Sequence, residues 1–192
     1  MRRHGAWKPS RYHARMTSTI RADVPATFPA ESATFLLHGP VGALEVACEP
    51  ADSESEARDG IAVICHPHPL HGGTMHNKVV NSAGTFDDGE GESEDLARVV
   101  DWARRVRPGA DLWLAGFSFG SYVALRNARR LDADALITIA PPVGRWQFET
   151  IELPDCPWLV VQGEEDEVVD ANAVFEWIEQ LDVSPQLVRM PE

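Results

Sequence analysis

Between positions 111 and 126 the chain runs Asp-Leu-Trp-Leu-Ala-Gly-Phe-Ser-Phe-Gly-Ser-Tyr-Val-Ala-Leu-Arg, and few folds can contain that stretch. Residues 112–115 are an apolar run of strand length, while Ala124, Leu125, Ala128 and Leu131 recur at helical spacing. Between them sits Gly116-Phe117-Ser118-Phe119-Gly120, a G-x-S-x-G pattern. The spacing predicts a strand, a sharp turn and a helix. Ser118 at the apex would occupy strained backbone with its hydroxyl projecting outward, and the two glycines would allow the close approach of strand to helix. A plainer reading makes Ser118 only a helix N-cap between turn glycines.

With 192 residues the chain suits one domain that buries most of its unfolded surface. Hydrophobic residues at 44% and charged residues at 24% are ordinary globular values, and the apolar runs are too short for a membrane span. A formal charge of −13 argues against nucleic acid or an anionic membrane as partner. Cys48, Cys65 and Cys156 make no C-x-x-C pair, which favours a reducing, cytoplasmic setting. The start is compositionally foreign: six basic residues, from Arg2 to Arg21, precede the first acid, Asp23, and leave 11 basic against 30 acidic residues for the remainder. Residues 1–28 are therefore expected to be a disordered basic tail, and 29–192 the folded domain.

Along that domain, residues 34–37 and 44–48 flank Gly39-Pro40-Val41-Gly42 and read as a hairpin. Ile61-Ala62-Val63-Ile64-Cys65 is the continuous apolar run of a central parallel strand and ends in a histidine-rich loop, residues 66–73. A helix is marked by Glu92, Glu94 and Asp95 in its first turn, by Leu96, Val99, Val100, Ala103 and Val106 on one face, and by Arg104, Arg105 and Arg107 at its end. Strands follow at 112–115, 135–139, 158–161 and 186–190, with a helix carrying Val174, Trp177, Ile178 and Leu181 before the last. Alternating strands and helices predict an α/β domain with a mostly parallel sheet.

The ordered series His66-Pro67, Gly72-Gly73-Thr74-Met75-His76-Asn77-Lys78-Val79-Val80, Asp87-Asp88-Gly89-Glu90-Gly91-Glu92, Gly116-Phe117-Ser118-Phe119-Gly120, Ala140-Pro141-Pro142-Val143-Gly144-Arg145 and Gln162-Gly163 resembles the α/β-hydrolase superfamily. The match is to a group of small bacterial serine hydrolases with an H-P-x-x-x-x-G-G-x-M-x-N-K-V-V motif. The resemblance implies an α/β-hydrolase-type, mostly parallel sheet with helices on both faces and an N-terminal antiparallel hairpin. It also implies hydrolysis of a small-molecule carboxylic ester, or a related acyl bond, through an acyl-serine intermediate, with no cofactor. Ser118 would be the nucleophile. The oxyanion donors would be the backbone N–H groups of Phe119 and of His68, since Pro67 and Pro69 have none. The orienting acid would be Asp166, with Glu164, Glu165 and Glu167 as neighbouring alternatives.

The chain departs from the family pattern twice. The family's triad runs Ser, acid, His, yet all seven histidines, from His4 to His76, precede Ser118. The C-terminal histidine loop is expected to be missing. About two dozen residues, a helix and a strand, also look absent near 80–82, which would leave the neighbouring strands apart and the chain poorly stable. These departures keep two alternatives open. One is a catalytically dead hydrolase-fold binding protein; the other is a metal-dependent hydrolase using His66, His68 and His71, although Leu70 stands where such loops carry an aspartate and no later ligand set follows. Cys65 as a nucleophile is disfavoured by its place in a buried strand. The sequence leaves the oligomeric state open.

Overall fold

A computed structural model describes residues 23–51, 59–67, 81–82 and 87–191. The hairpin is β1 (Ala33–His38) and β2 (Ala43–Cys48), antiparallel in the register Ala33 to Cys48, and a short β4 (Asn81–Ser82) pairs with Leu44 and Glu45 of β2. A separate five-stranded parallel sheet follows the order β3 (Gly60–Cys65), β5 (Asp111–Phe117), β6 (Ala135–Ile139), β7 (Trp158–Gly163) and β8 (Gln186–Met190). Helices α1 (Glu90–Val106), α2 (Phe119–Ala128) and α3 (Ala171–Glu179) complete the α/β arrangement. The mostly parallel sheet and the antiparallel hairpin are those expected from the apolar runs and the turn at 39–42.

One face of the five-stranded sheet is the core. Val63, Cys65, Leu112, Leu114, Leu136, Trp158 and Val160 are all buried, together with Val123, Ala124 and Leu125 of α2. On the opposite face Ile64, Phe117 and Ile139 are 45%, 42% and 38% exposed. Alternation along each strand produces this two-sidedness even where the sequence is apolar throughout.

The hairpin joins the core through α1. Phe35 lies 4.8 Å from the Trp102 ring, and Phe28, ahead of β1, lies 6.2 Å from it. The buried Trp102 indole donates to the Pro25 carbonyl at 2.9 Å, so packing begins before residue 29. Two ion pairs tie the start of α1 to α2 and the turn after it: Arg126 of α2 pairs with Glu90, and Arg130, just past α2, meets Glu94 at 2.8 Å. Within the core, the Asn127 amide donates to Ser93 Oγ at 2.8 Å and to the Val123 carbonyl at 2.8 Å. No helix among the described residues is long and apolar enough to cross a membrane.

Candidate active site

Strand β5 ends at Phe117 and α2 begins at Phe119, so Ser118 alone makes the turn. Its backbone has φ 51° and ψ −121°, a left-handed setting that costs an L-residue of order 1–3 kcal/mol and persists only when the surroundings impose it. Those surroundings are visible. Ser118 N–H donates to the Ile139 carbonyl of β6 at 2.8 Å, and the Ser118 carbonyl accepts from the backbone N–H of Ser121 at 2.8 Å and from its hydroxyl at 2.5 Å. The Ser118 side chain makes no capping hydrogen bond. That removes the plain N-cap reading, because a cap's oxygen would bind the first backbone N–H groups of the helix.

The two glycines are required by space. A Cβ on Gly116 would run into the backbone of Gly120, and one on Gly120 would meet the Cys65 carbonyl and lie 2.5 Å from the His66 carbonyl. The elbow is thus clamped against the carboxyl end of β3 on one side and held by β6 on the other. His66 sits half-buried at that strand end, its Nδ1 2.6 Å from the Pro67 carbonyl. A carbonyl only accepts, so Nδ1 carries the proton in this arrangement. His68 and His71 lie outside the described residues, as do the rest of residues 68–80 and with them the motif beyond His66-Pro67. Among the described residues no cluster of His, Cys, Asp or Glu could hold a metal ion. Burial pushes the Cys65 thiol up to about 12, which removes it as a nucleophile near neutrality.

Phe119, the residue after Ser118, is 3% exposed. Its ring lies 4.9 Å from Trp146, which also stacks on Tyr122 at 5.9 Å. Tyr122 touches Phe148 at 5.2 Å, and Phe148 meets Trp177 of α3 edge-on at 5.2 Å. This aromatic block fixes the first turn of α2 and the loop after β6 together. Sequence reasoning missed it because its members come from separate segments and share no period. The same loop begins at Ala140, a buried non-glycine residue that also has positive φ, 47°.

At the end of β7 the four acids separate. Glu164, Glu165 and Glu167 are exposed, whereas Asp166 is half-buried and anchored: its Oδ1 accepts from the backbone N–H groups of Val168 at 2.8 Å and Val169 at 2.9 Å. Its Oδ2 lies 3.5 Å from Nε2 of Gln162, a fully buried residue whose Oε1 has no partner among the described residues. Nothing in the sequence marked Gln162 beyond its place in a family motif. Ser118 and Asp166 therefore stand after the carboxyl ends of β5 and β7, two strands apart in one parallel sheet, where open α/β sheets place their sites.

The chain is similar in sequence and shape to XC6422 from Xanthomonas campestris, described as a member of the α/β serine hydrolases without lid; the two are 43% identical over 88% of this chain and 87% of that one, with a TM-score of 0.81. An α/β serine hydrolase homologue from Coxiella burnetii is 35% identical over 85% of this chain and 89% of its own, with a TM-score of 0.77. An uncharacterised protein of Rickettsia prowazekii is 31% identical over 172 residues, 75% of this chain and 71% of that protein. No family model matches. Similarity of this extent to α/β serine hydrolases, over most of the length of each chain, means that the chain belongs to the α/β serine hydrolases.

Proposed function

We propose that the protein is a serine hydrolase cleaving a small carboxylic ester, or a related acyl bond, through an acyl-Ser118 intermediate. The observation that carries this is the left-handed backbone of Ser118 with its hydroxyl uncommitted to capping, strain that has no use in an ordinary helix start. In the first step a base takes the Ser118 Oγ proton as Oγ attacks the ester carbonyl. The oxyanion so formed is held by backbone N–H groups, that of Phe119 first and that of His68 second. Collapse expels the alkoxide, which leaves as the alcohol with the proton, and water then cleaves the acyl-enzyme by the same route in reverse. Asp166 takes the acid's place, with one carboxylate oxygen anchored in its turn and the other toward Gln162. The Xanthomonas relative's lack of a lid supports an open site suited to a small or exposed substrate.

The second reading is a hydrolase fold that binds without turnover. It is favoured by one sequence fact: no histidine occurs between His76 and Glu192. A fluorophosphonate probe separates the two. The hydrolase reading expects labelling within minutes at Ser118 and none in Ser118→Ala; a folded wild-type protein that stays unlabelled decides for the binding protein.

A further inference from the structure

Gln162 is fully buried at the end of β7, and its side chain is poorly explained by packing alone. Its Nε2 donates to the Gly163 carbonyl at 3.0 Å and approaches Asp166 Oδ2 at 3.5 Å, while Oε1 is buried without a partner among the described residues. A methionine or leucine would fill the same space without burying an unpaired oxygen. What an amide adds is two N–H groups on one nitrogen, enough to serve both the carbonyl and the carboxylate at once. The opposite amide assignment would set an oxygen against both acceptors. On the other side of the carboxylate, Oδ1 is occupied by the backbone N–H groups of Val168 and Val169, so Oδ2 is the oxygen left for a catalytic partner.

We infer that Gln162 is a positioning residue for the acid: its amide, bridging the Gly163 carbonyl and Asp166 Oδ2, fixes the one carboxylate oxygen that the turn leaves uncommitted. The inference rests on the serine-hydrolase reading for its catalytic consequence, but the tether itself is a property of the folded chain. Val168 and Val169 hold Oδ1 and Gln162 holds Oδ2, so both oxygens restrain the one rotation about Cβ–Cγ and the free lone pairs of Oδ2 point in one direction.

The test has two arms on the full chain. In the first, the side-chain amide resonances of Gln162 are followed by ¹⁵N–¹H NMR in wild type, Asp166→Asn and Asp170→Asn, the last altering the N-cap of α3 as a nearby control. The tether predicts that Asp166→Asn moves the Gln162 resonances and Asp170→Asn does not. Unmoved Gln162 resonances in Asp166→Asn overturn it. In the second arm, fluorophosphonate labelling of Ser118 is timed in wild type, Gln162→Met and Gln162→Asn. A roughly tenfold or greater slowing is expected in both, since Met removes the amide and Asn withdraws it. Wild-type rates in both variants overturn the positioning role while the hydrolase reading stands. An unlabelled wild type refutes the hydrolase reading and with it the catalytic consequence, leaving the tether to be judged by the resonances.

Discussion

Asp95 is a carboxylic acid in the wrong place for an ion. It lies on the buried side of α1, 6% exposed, with Oδ1 unpartnered among the described residues and 3.0 Å from where a Cβ on Gly39 would stand, so the β1–β2 turn rests on it. Burial first, then the charges of Glu92 and Glu94, raise its pKa from 3.8 to about 6. The folded state therefore holds the proton more tightly than the unfolded chain does. Stability is at its full value below the unfolded pKa and is lost as pH rises through about 6. A shift of this size is worth about 3 kcal/mol when complete, of which about 2 kcal/mol falls between pH 4.5 and 8. Asp95→Asn keeps the shape and removes the titration. Urea unfolding should find the variant more stable than wild type by about 2 kcal/mol more at pH 8 than at pH 4.5, a midpoint displacement of about 1 M. A difference between the proteins that does not change with pH would refute the reasoning, because packing effects of the amide are pH-independent.

Three further outcomes follow from the same geometry. Gly120→Ala should cost at least about 3 kcal/mol in urea unfolding, because its Cβ would meet two backbone carbonyls that cannot turn aside; a loss under about 1 kcal/mol would mean that β3 and α2 are not clamped. Asp132 closes α2 with φ 46°, its N–H donating to the Arg129 carbonyl at 3.1 Å, and is exposed, so Asp132→Gly should raise stability by about 0.5–1 kcal/mol where most glycine substitutions lower it. Burial raises the thiols of Cys48 and Cys65 to about 12, and a thiol reagent at pH 8 should leave both intact in the native state while the half-buried Cys156 reacts first.

The fold was legible because its signals are local. Apolar runs of strand length, the Gly39–Gly42 turn and the acid-to-arginine polarity of α1 each fixed an element without reference to the others, and β1, β2, α1 and β5 through β8 stand where those signals lie. Ser118 was legible for the same reason: the glycines on either side have no role except close approach. The parts that escaped are made by tertiary contact. Strained Ala140 carries no glycine to announce it, the aromatic block around Trp146 is assembled from three segments, α2, residues 146–148 and α3, and Gln162 matters through the burial of one amide. Among four consecutive acids only the fold separates Asp166, since anchoring by two backbone N–H groups depends on the turn that follows it.

The apolar runs carry one message that the structure qualifies. Ile61-Ala62-Val63-Ile64, Leu112-Trp113-Leu114-Ala115 and Trp158-Leu159-Val160-Val161 are apolar on both faces, as parallel strands covered on both sides are, yet Ile64, Phe117 and Ile139 remain part exposed on one of them. The elbow does not depend on that open face. Ser118 is held by a hydrogen bond from its N–H to β6, by the contact of Gly120 with the end of β3, and by Phe119 wedged beside Trp146. The helix residues behind it, Val123 to Leu125, belong to the fully packed side. Close-packed surroundings transmit strain rather than absorb it, so a backbone angle sparsely populated for serine can be kept by these three neighbours together. The geometry of Ser118 is thereby tied to the better-buried half of the molecule.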